Sequence, residues 1–177
     1  MKRGLFSLVV FLIGIPGLQV LRAAQEVAYQ GKPVPITPMG PKRSGPRTSF
    51  SGSIIEDPFR VVVRDRNTWL DVWKRIYQVV PSNGPYPELP EIDFSREMVV
   101  VAAMGQQPTS GYAIIIDAAY EREDRLEVVV KSVINLKCGA VLTVVTSPID
   151  IVRLPKIEGP VVFREIEVVP DCKLEQG

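Results

Sequence analysis

Hydrophobic positions in this chain fall into short β-branched runs, with one stretch of helical spacing among them. The first strong run is Arg60-Val61-Val62-Val63-Arg64, bounded by Pro58 and Asp65, and it reads as a short strand. Next, Trp69, Val72, Trp73, Ile76 and Tyr77 recur at the i, i+3, i+4, i+7, i+8 spacing of one helical face. Thr68 or Asn67 is the expected N-cap and Asp71 the first-turn acid. Prolines at 81, 85, 87 and 90 then break regular structure. From Glu97 to Met104 the chain reads EMVVVAAM, a continuous apolar run suited to a central strand buried on both faces. Tyr112–Ile116 and Leu126–Val133 look like successive antiparallel strands, followed by runs at Val141–Val145, Ile149–Leu154 and Val161–Val169, with a bend expected at Ser147-Pro148. Many β runs against one helix predict a mostly β fold: an antiparallel β-sandwich or half-open barrel with one amphipathic α-helix packed against it.

The N-terminal part has a different character. Lys2 and Arg3 precede an apolar run from Leu5 to Ile15 that is short for a bilayer span, and Ala23-Ala24 offers a cleavage point, so residues 1–24 read as a secretory signal peptide. Retention of that segment as an anchor stays open as the alternative. With the signal removed, no transmembrane span is expected. Residues 25–52 are rich in Pro, Gly and basic side chains and read as a flexible linker. Residues 53–172 are expected to form one β domain, with 173–177 as a tail.

Charge and composition narrow the function classes. Twenty-one basic residues balance twenty acidic ones, a formal net charge of +1, which leaves no one-signed field for a nucleic-acid partner. The chain has no histidine, which excludes Ser-His-Asp and Cys-His nucleophile systems and most zinc enzymes. No catalytic residue, metal ligand set or cofactor is therefore assigned. A carboxylate pair such as Asp93 and Glu97 could in principle serve a glycosidase, but strand-leading positions explain both residues more simply. Cys138 and Cys172 are the two cysteines, and in an exported chain an even count favours a disulfide over free thiols. Such a bridge, closing a loop of about 33 residues, would contribute roughly 3–4 kcal/mol.

Candidate binding residues lie between the central strand and its successor, in the loop Gln107, Pro108, Thr109, Ser110, Gly111, Tyr112. Proline and glycine set its shape, and its hydroxyls and amides can bond outward, so a rigid loop of this kind would lose little entropy on binding. Thr146, Ser147 and Pro148 form a second candidate loop. The run VVVAAMGQQPTSGYAI, with Thr146-Ser147-Pro148 and VRLPK at 152–156, resembles the C-terminal domain of the PrcB family of protease-complex subunits. The Trp69-x-x-x-Trp73 helix and Asp93-Phe94-Ser95 resemble that family too, so the likeness spans about Ser53 to Cys172; where the family shows TGGY, this chain has Thr109-Ser110-Gly111-Tyr112. The resemblance implies an exported bacterial protein, periplasmic, envelope-associated or extracellular, that is not an enzyme. Its implied partner is a protein, with a secreted protease as the candidate. The 107–112 hexapeptide is also similar to a loop of chagasin-type cysteine protease inhibitors, whose other two loops have no counterpart here. Inhibition of a cysteine protease is thus the alternative to stabilisation of a protease complex. A fourth reading is an envelope protein that pairs an exposed sheet edge with a partner strand.

Overall fold

The computed structural model describes residues 31–39, 53, 55–77, 88–136 and 140–170. They form eight strands and one helix: β1 (Lys32–Val34), β2 (Thr37–Pro38), β3 (Phe59–Val63), α1 (Arg66–Ile76), β4 (Glu97–Ala103), β5 (Tyr112–Glu121), β6 (Leu126–Ile134), β7 (Ile149–Pro155) and β8 (Val161–Val168). The strands make two four-stranded sheets, ordered β1-β5-β6-β8 and β2-β7-β4-β3. This is the expected sandwich with a single packed helix. Among the described residues, no helix is long and apolar enough to cross a membrane.

Strand β4 explains why two hydrophobic layers coexist. Its even positions, Met98, Val100 and Ala102, face the other sheet and pack with Ile114, Ile116, Leu126, Val128, Val130, Val152 and Leu154. Its odd positions, Val99, Val101 and Ala103, face the opposite way and pack with Trp69 and Ile76 of α1. An unbroken apolar run is what a strand covered on both faces requires. The tryptophans of α1 belong to this second layer. Trp69 is 1% exposed, its indole N–H donates to the Pro90 carbonyl at 3.0 Å, and its ring centroid lies 5.2 Å from that of Trp73.

Several details differ from the sequence reading, each for a physical reason. The helix begins earlier: Asp65 is the N-cap, its carboxylate accepting from the Thr68 amide at 2.9 Å and hydroxyl at 2.6 Å, and no acid occupies the first turn. Asp65 was legible as the end of a strand, but an Asp three residues before a threonine serves equally as a cap.

Part of the segment expected as linker is ordered. Lys32–Val34 joins one sheet and Thr37–Pro38 the other, because Val34 and Ile36 reach the inter-sheet core while Met39 reaches the helix-side layer. Three spaced apolar side chains suffice to anchor it.

Strand β8 runs parallel to β6, whereas the other strand pairs are antiparallel. The chain leaves β7 in one sheet and crosses to the free edge of the other, instead of turning back as a hairpin. The Val141–Val145 run is not a strand. In the two sheets β4 is flanked by β3 and β7, and β5 by β1 and β6, so no ladder position in either interior remains for it. Both cysteines of the expected disulfide, Cys138 and Cys172, lie outside the described residues.

Candidate functional site

The two candidate loops meet at one end of the sandwich, where β4 passes to β5 and where the chain approaches β7. Gly105 makes the first turn possible: its φ is +77°, and a Cβ there would come within 2.6 Å of the Glu56 carbonyl oxygen. Beyond it, the Gln107 amide donates to the Thr146 carbonyl at 2.7 Å, and the Thr146 amide returns a bond to the Gln107 carbonyl at 2.9 Å. The Thr146 hydroxyl donates to the Thr109 carbonyl at 2.9 Å. Ser110 latches the same segment one step further on. Its amide donates to the Leu142 carbonyl at 3.0 Å, and its hydroxyl accepts from the Leu142 amide at 2.9 Å.

Gly111 closes the loop against the end of β6. It is buried, its carbonyl accepts from the Asn135 amide at 2.7 Å, and a Cβ would sit 2.7 Å from the Asn135 carbonyl oxygen. Only the side-chain-free residue fits. Ser110 sits there without backbone strain, since no described non-glycine residue has a positive φ. Pro108 and Ser110 are exposed, while Gln107, Thr109 and Tyr112 are half-buried. In the second loop, Thr146 is half-buried, whereas Ser147 and Pro148 are buried; the Ser147 carbonyl accepts from the buried Ser53 hydroxyl at 2.8 Å. The structure thus brings 107–111 and 146 into direct contact and turns 147–148 into support.

Three contributors were missed from the sequence. Asp150 is 7% exposed, and its Oδ2 accepts from the Ile116 amide at 2.7 Å, where β5 bulges between Ile116 and Ala118. That bond ties β7 to the opposite sheet directly behind the loops, and a lone acid inside an aliphatic run was its signal. Ser53 had no distinguishing signal. The third contributor is the strip Leu142, Val144 and Val145, exposed at 65%, 48% and 65%. Reading it as a strand assigned its side chains to a core they do not enter.

The carboxylates that could suggest catalysis sit elsewhere. Asp93, Glu97, Arg96 and Arg153 line a cavity of about 500 Å³ at the β2 side of the second sheet. The Ser95 hydroxyl and amide bind the Asp93 carboxylate and hold it below the ordinary carboxylate range. Glu97 is ion-paired with Arg153 at 3.2 Å. A carboxylic acid poised to protonate a leaving group needs a raised pKa, and Asp93 is shifted the other way. Among the described residues there is no group of three or more His, Cys, Asp or Glu side chains able to hold a metal ion.

No curated protein and no solved structure matches the chain. Residues 98–155, from the second residue of β4 through β7, match the family model described as PrcB C-terminal, and this span contains both candidate loops.

Proposed function

We propose that this protein is an exported, non-catalytic protein-binding domain that associates with a secreted protease and stabilises it. In this reading the partner meets the loop Gln107–Tyr112 and the adjoining Thr146. The observation that carries the reading is the latch between Gln107, Thr109 and Ser110 on one side and Leu142 and Thr146 on the other. It fixes a surface loop that holds no carboxylate, lysine, cysteine or histidine, and a loop ordered in advance binds at little entropic cost. The PrcB C-terminal match over the same residues supports a role in a protease complex.

The test is co-purification from the native envelope or medium with a tagged chain, beside a Pro108→Gly, Thr109→Gly variant. The expected result is a protease that is recovered with the parent chain, is depleted with the variant, and has a shorter half-life when the gene is deleted. Recovery of no protease, together with an unchanged half-life for the host's secreted proteases, refutes the proposal. Inhibition of papain by the purified parent chain would move the reading to a protease inhibitor.

A further inference from the structure

The cavity of about 500 Å³ beside β2 lies at the opposite end of the sandwich from the loops. The loops follow the last residue of β4 and precede the first of β7, whereas the cavity takes Glu97 from the start of β4 and Arg153 and Pro155 from the end of β7. β4 is seven residues long, so roughly 20 Å of strand separates the two. Sheet pairing builds one wall of the cavity. Arg153 stands opposite Val99 of β4 and Thr37 of β2, and directly opposed residues share a sheet face. Glu97, at the next alternate position from Val99, lies on that face as well, so Thr37, Arg153 and Glu97 project together. The turn before β4, closed by the Arg96 and Glu97 amides on the Asp93 carbonyl at 2.9 and 2.8 Å, adds Asp93 and Arg96 to the lining.

Much of the hydrogen-bonding capacity of these charged groups is unused. Arg153 Nε lies 3.2 Å from Glu97 Oε1, but the geometry makes no hydrogen bond, and that buried nitrogen has no acceptor. Among the described residues neither the Arg153 nor the Arg96 guanidinium donates a hydrogen bond. Elsewhere Arg60 forks onto Glu165 and donates to two carbonyls, and Arg122 donates to Glu127. A guanidinium presents its N–H donors in a planar fork that matches a carboxylate. The acids have spare acceptors too. Both Ser95 bonds to Asp93 end on Oδ1, and Glu97 meets Arg153 through Oε1, so Asp93 Oδ2 and Glu97 Oε2 have no hydrogen-bond partner among the described residues. An occupant that satisfies this site brings an acceptor for the guanidiniums and donors for the carboxylate oxygens. Acetate brings no donor, and the two carboxylates oppose a multiply charged anion such as phosphate. A peptide carries backbone N–H groups close to its terminal or side-chain carboxylate.

We propose that this cavity binds the carboxylate of a peptide, held by Arg96 and Arg153, with backbone N–H groups of the peptide donating to Asp93 and Glu97. The carboxylate is that of a chain terminus or of an Asp or Glu side chain. The test is microscale thermophoresis of the full chain, dye-labelled at its N-terminus, against hexapeptides of Gly, Ala and Ser from about 10 μM to 10 mM, a range that brackets a millimolar constant. One peptide has a free C-terminal carboxylate, a second is C-amidated with a central Glu, and a third is C-amidated with Gln in that place. Sodium acetate and sodium phosphate are the small-anion arms. Each is measured on the parent, Arg96→Gln, Arg153→Gln and Lys74→Gln, the last an exposed lysine of α1 outside the cavity.

Saturable binding of the free-terminus or the Glu peptide is expected, with the Gln peptide at least about tenfold weaker and each arginine substitution weakening binding by a similar factor. Lys74→Gln should match the parent. Whichever carboxylate peptide binds more tightly identifies the source of the group. Saturation by neither within the range overturns the proposal. So does binding that the Gln peptide, acetate or phosphate reproduces at the same concentration, or that survives both arginine substitutions. If one arginine variant departs from the parent's circular dichroism spectrum, the other decides. These substitutions leave the loops at the far end untouched, and protease co-purification is a separate measurement, so this proposal and the functional reading can fail separately.

Discussion

The β3–β8 side of the sandwich and the loop end solve the same problem in opposite ways. On the β3–β8 side, two edge strands from different sheets lie open to each other. Arg60 spans them, donating to Glu165 and to the carbonyls of Phe59 and Ala103, while Arg64 donates to the Gly159 carbonyl at 2.7 Å. Guanidinium groups close that side by satisfying backbone acceptors, and they deter an incoming strand. At the loop end, the two contacting segments, 105–111 and 142–146, carry no charged side chain. Closure relies on neutral hydrogen bonds between two loops and on two glycines that allow close backbone approach. The two regions are thus closed by different forces: ion pairs and guanidinium–carbonyl bonds at β3–β8, and neutral hydrogen bonds between 107–110 and 142–146 at the loop end.

Gly111 carries the largest expected effect. Valine there would drive a Cβ into the Asn135 carbonyl and should destabilise the protein by about 3 kcal/mol, read as a lower urea midpoint with an unchanged m-value. A substitution tolerated with no loss would mean that the loop end is not close-packed. On the charged side, Arg60→Ala removes a bidentate pair and two bonds to carbonyls, an expected cost of roughly 1–2 kcal/mol. Arg60→Lys should recover little of it, because a point charge cannot fork. Equal stability of parent and alanine variant would remove the arginine from any role in closure.

Acid should weaken the charged regions and leave the loop end alone. Arg122 binds the Glu127 carboxylate at 2.8 Å and holds it below its ordinary value of 4.5; Asp65 and Asp93 are lowered by Thr68 and Ser95. A carboxylate whose folded pKa is depressed contributes stability above its unfolded pKa and loses it as pH falls through the folded value. Stability should therefore hold from neutral pH down to the ordinary carboxylate range and fall below it. Arg122→Ala should lower stability at pH 7 by about 1 kcal/mol and flatten the fall between pH 5 and pH 3, as followed by urea titration at each pH. A parallel pH profile in the variant would separate Glu127 from acid sensitivity.

The smallest effect belongs to Ser110→Ala, which removes the acceptor of the Leu142 amide. A loss of about 0.5–1 kcal/mol is expected, with faster hydrogen exchange at Leu142 and no change at Val100. Unchanged exchange at Leu142 would mean that the serine does not hold the strip.

Elements whose pattern is local were legible from the residues alone. The two-faced apolar run of β4, the i, i+3, i+4 stripe of α1, and the β-branched apolar runs of β5 and β6 are local patterns of neighbouring residues, and no distant contact was needed to read them. The loop at 107–112 was legible for the same reason, since proline and glycine fix turns locally. The remaining elements depend on contacts between distant parts of the chain. Whether Val141–Val145 becomes a strand depends on a vacant ladder position, and the sheets had none to give in their interiors. Lys32–Pro38 becomes two edge strands because two sheets, remote in sequence, offer unpaired edges. Asp150 supports the loops because a bulge in β5 brings an amide to it. Each of these rests on hydrogen-bond partners that are far apart along the chain, and pairing of that kind leaves no periodic trace in the residues that await it.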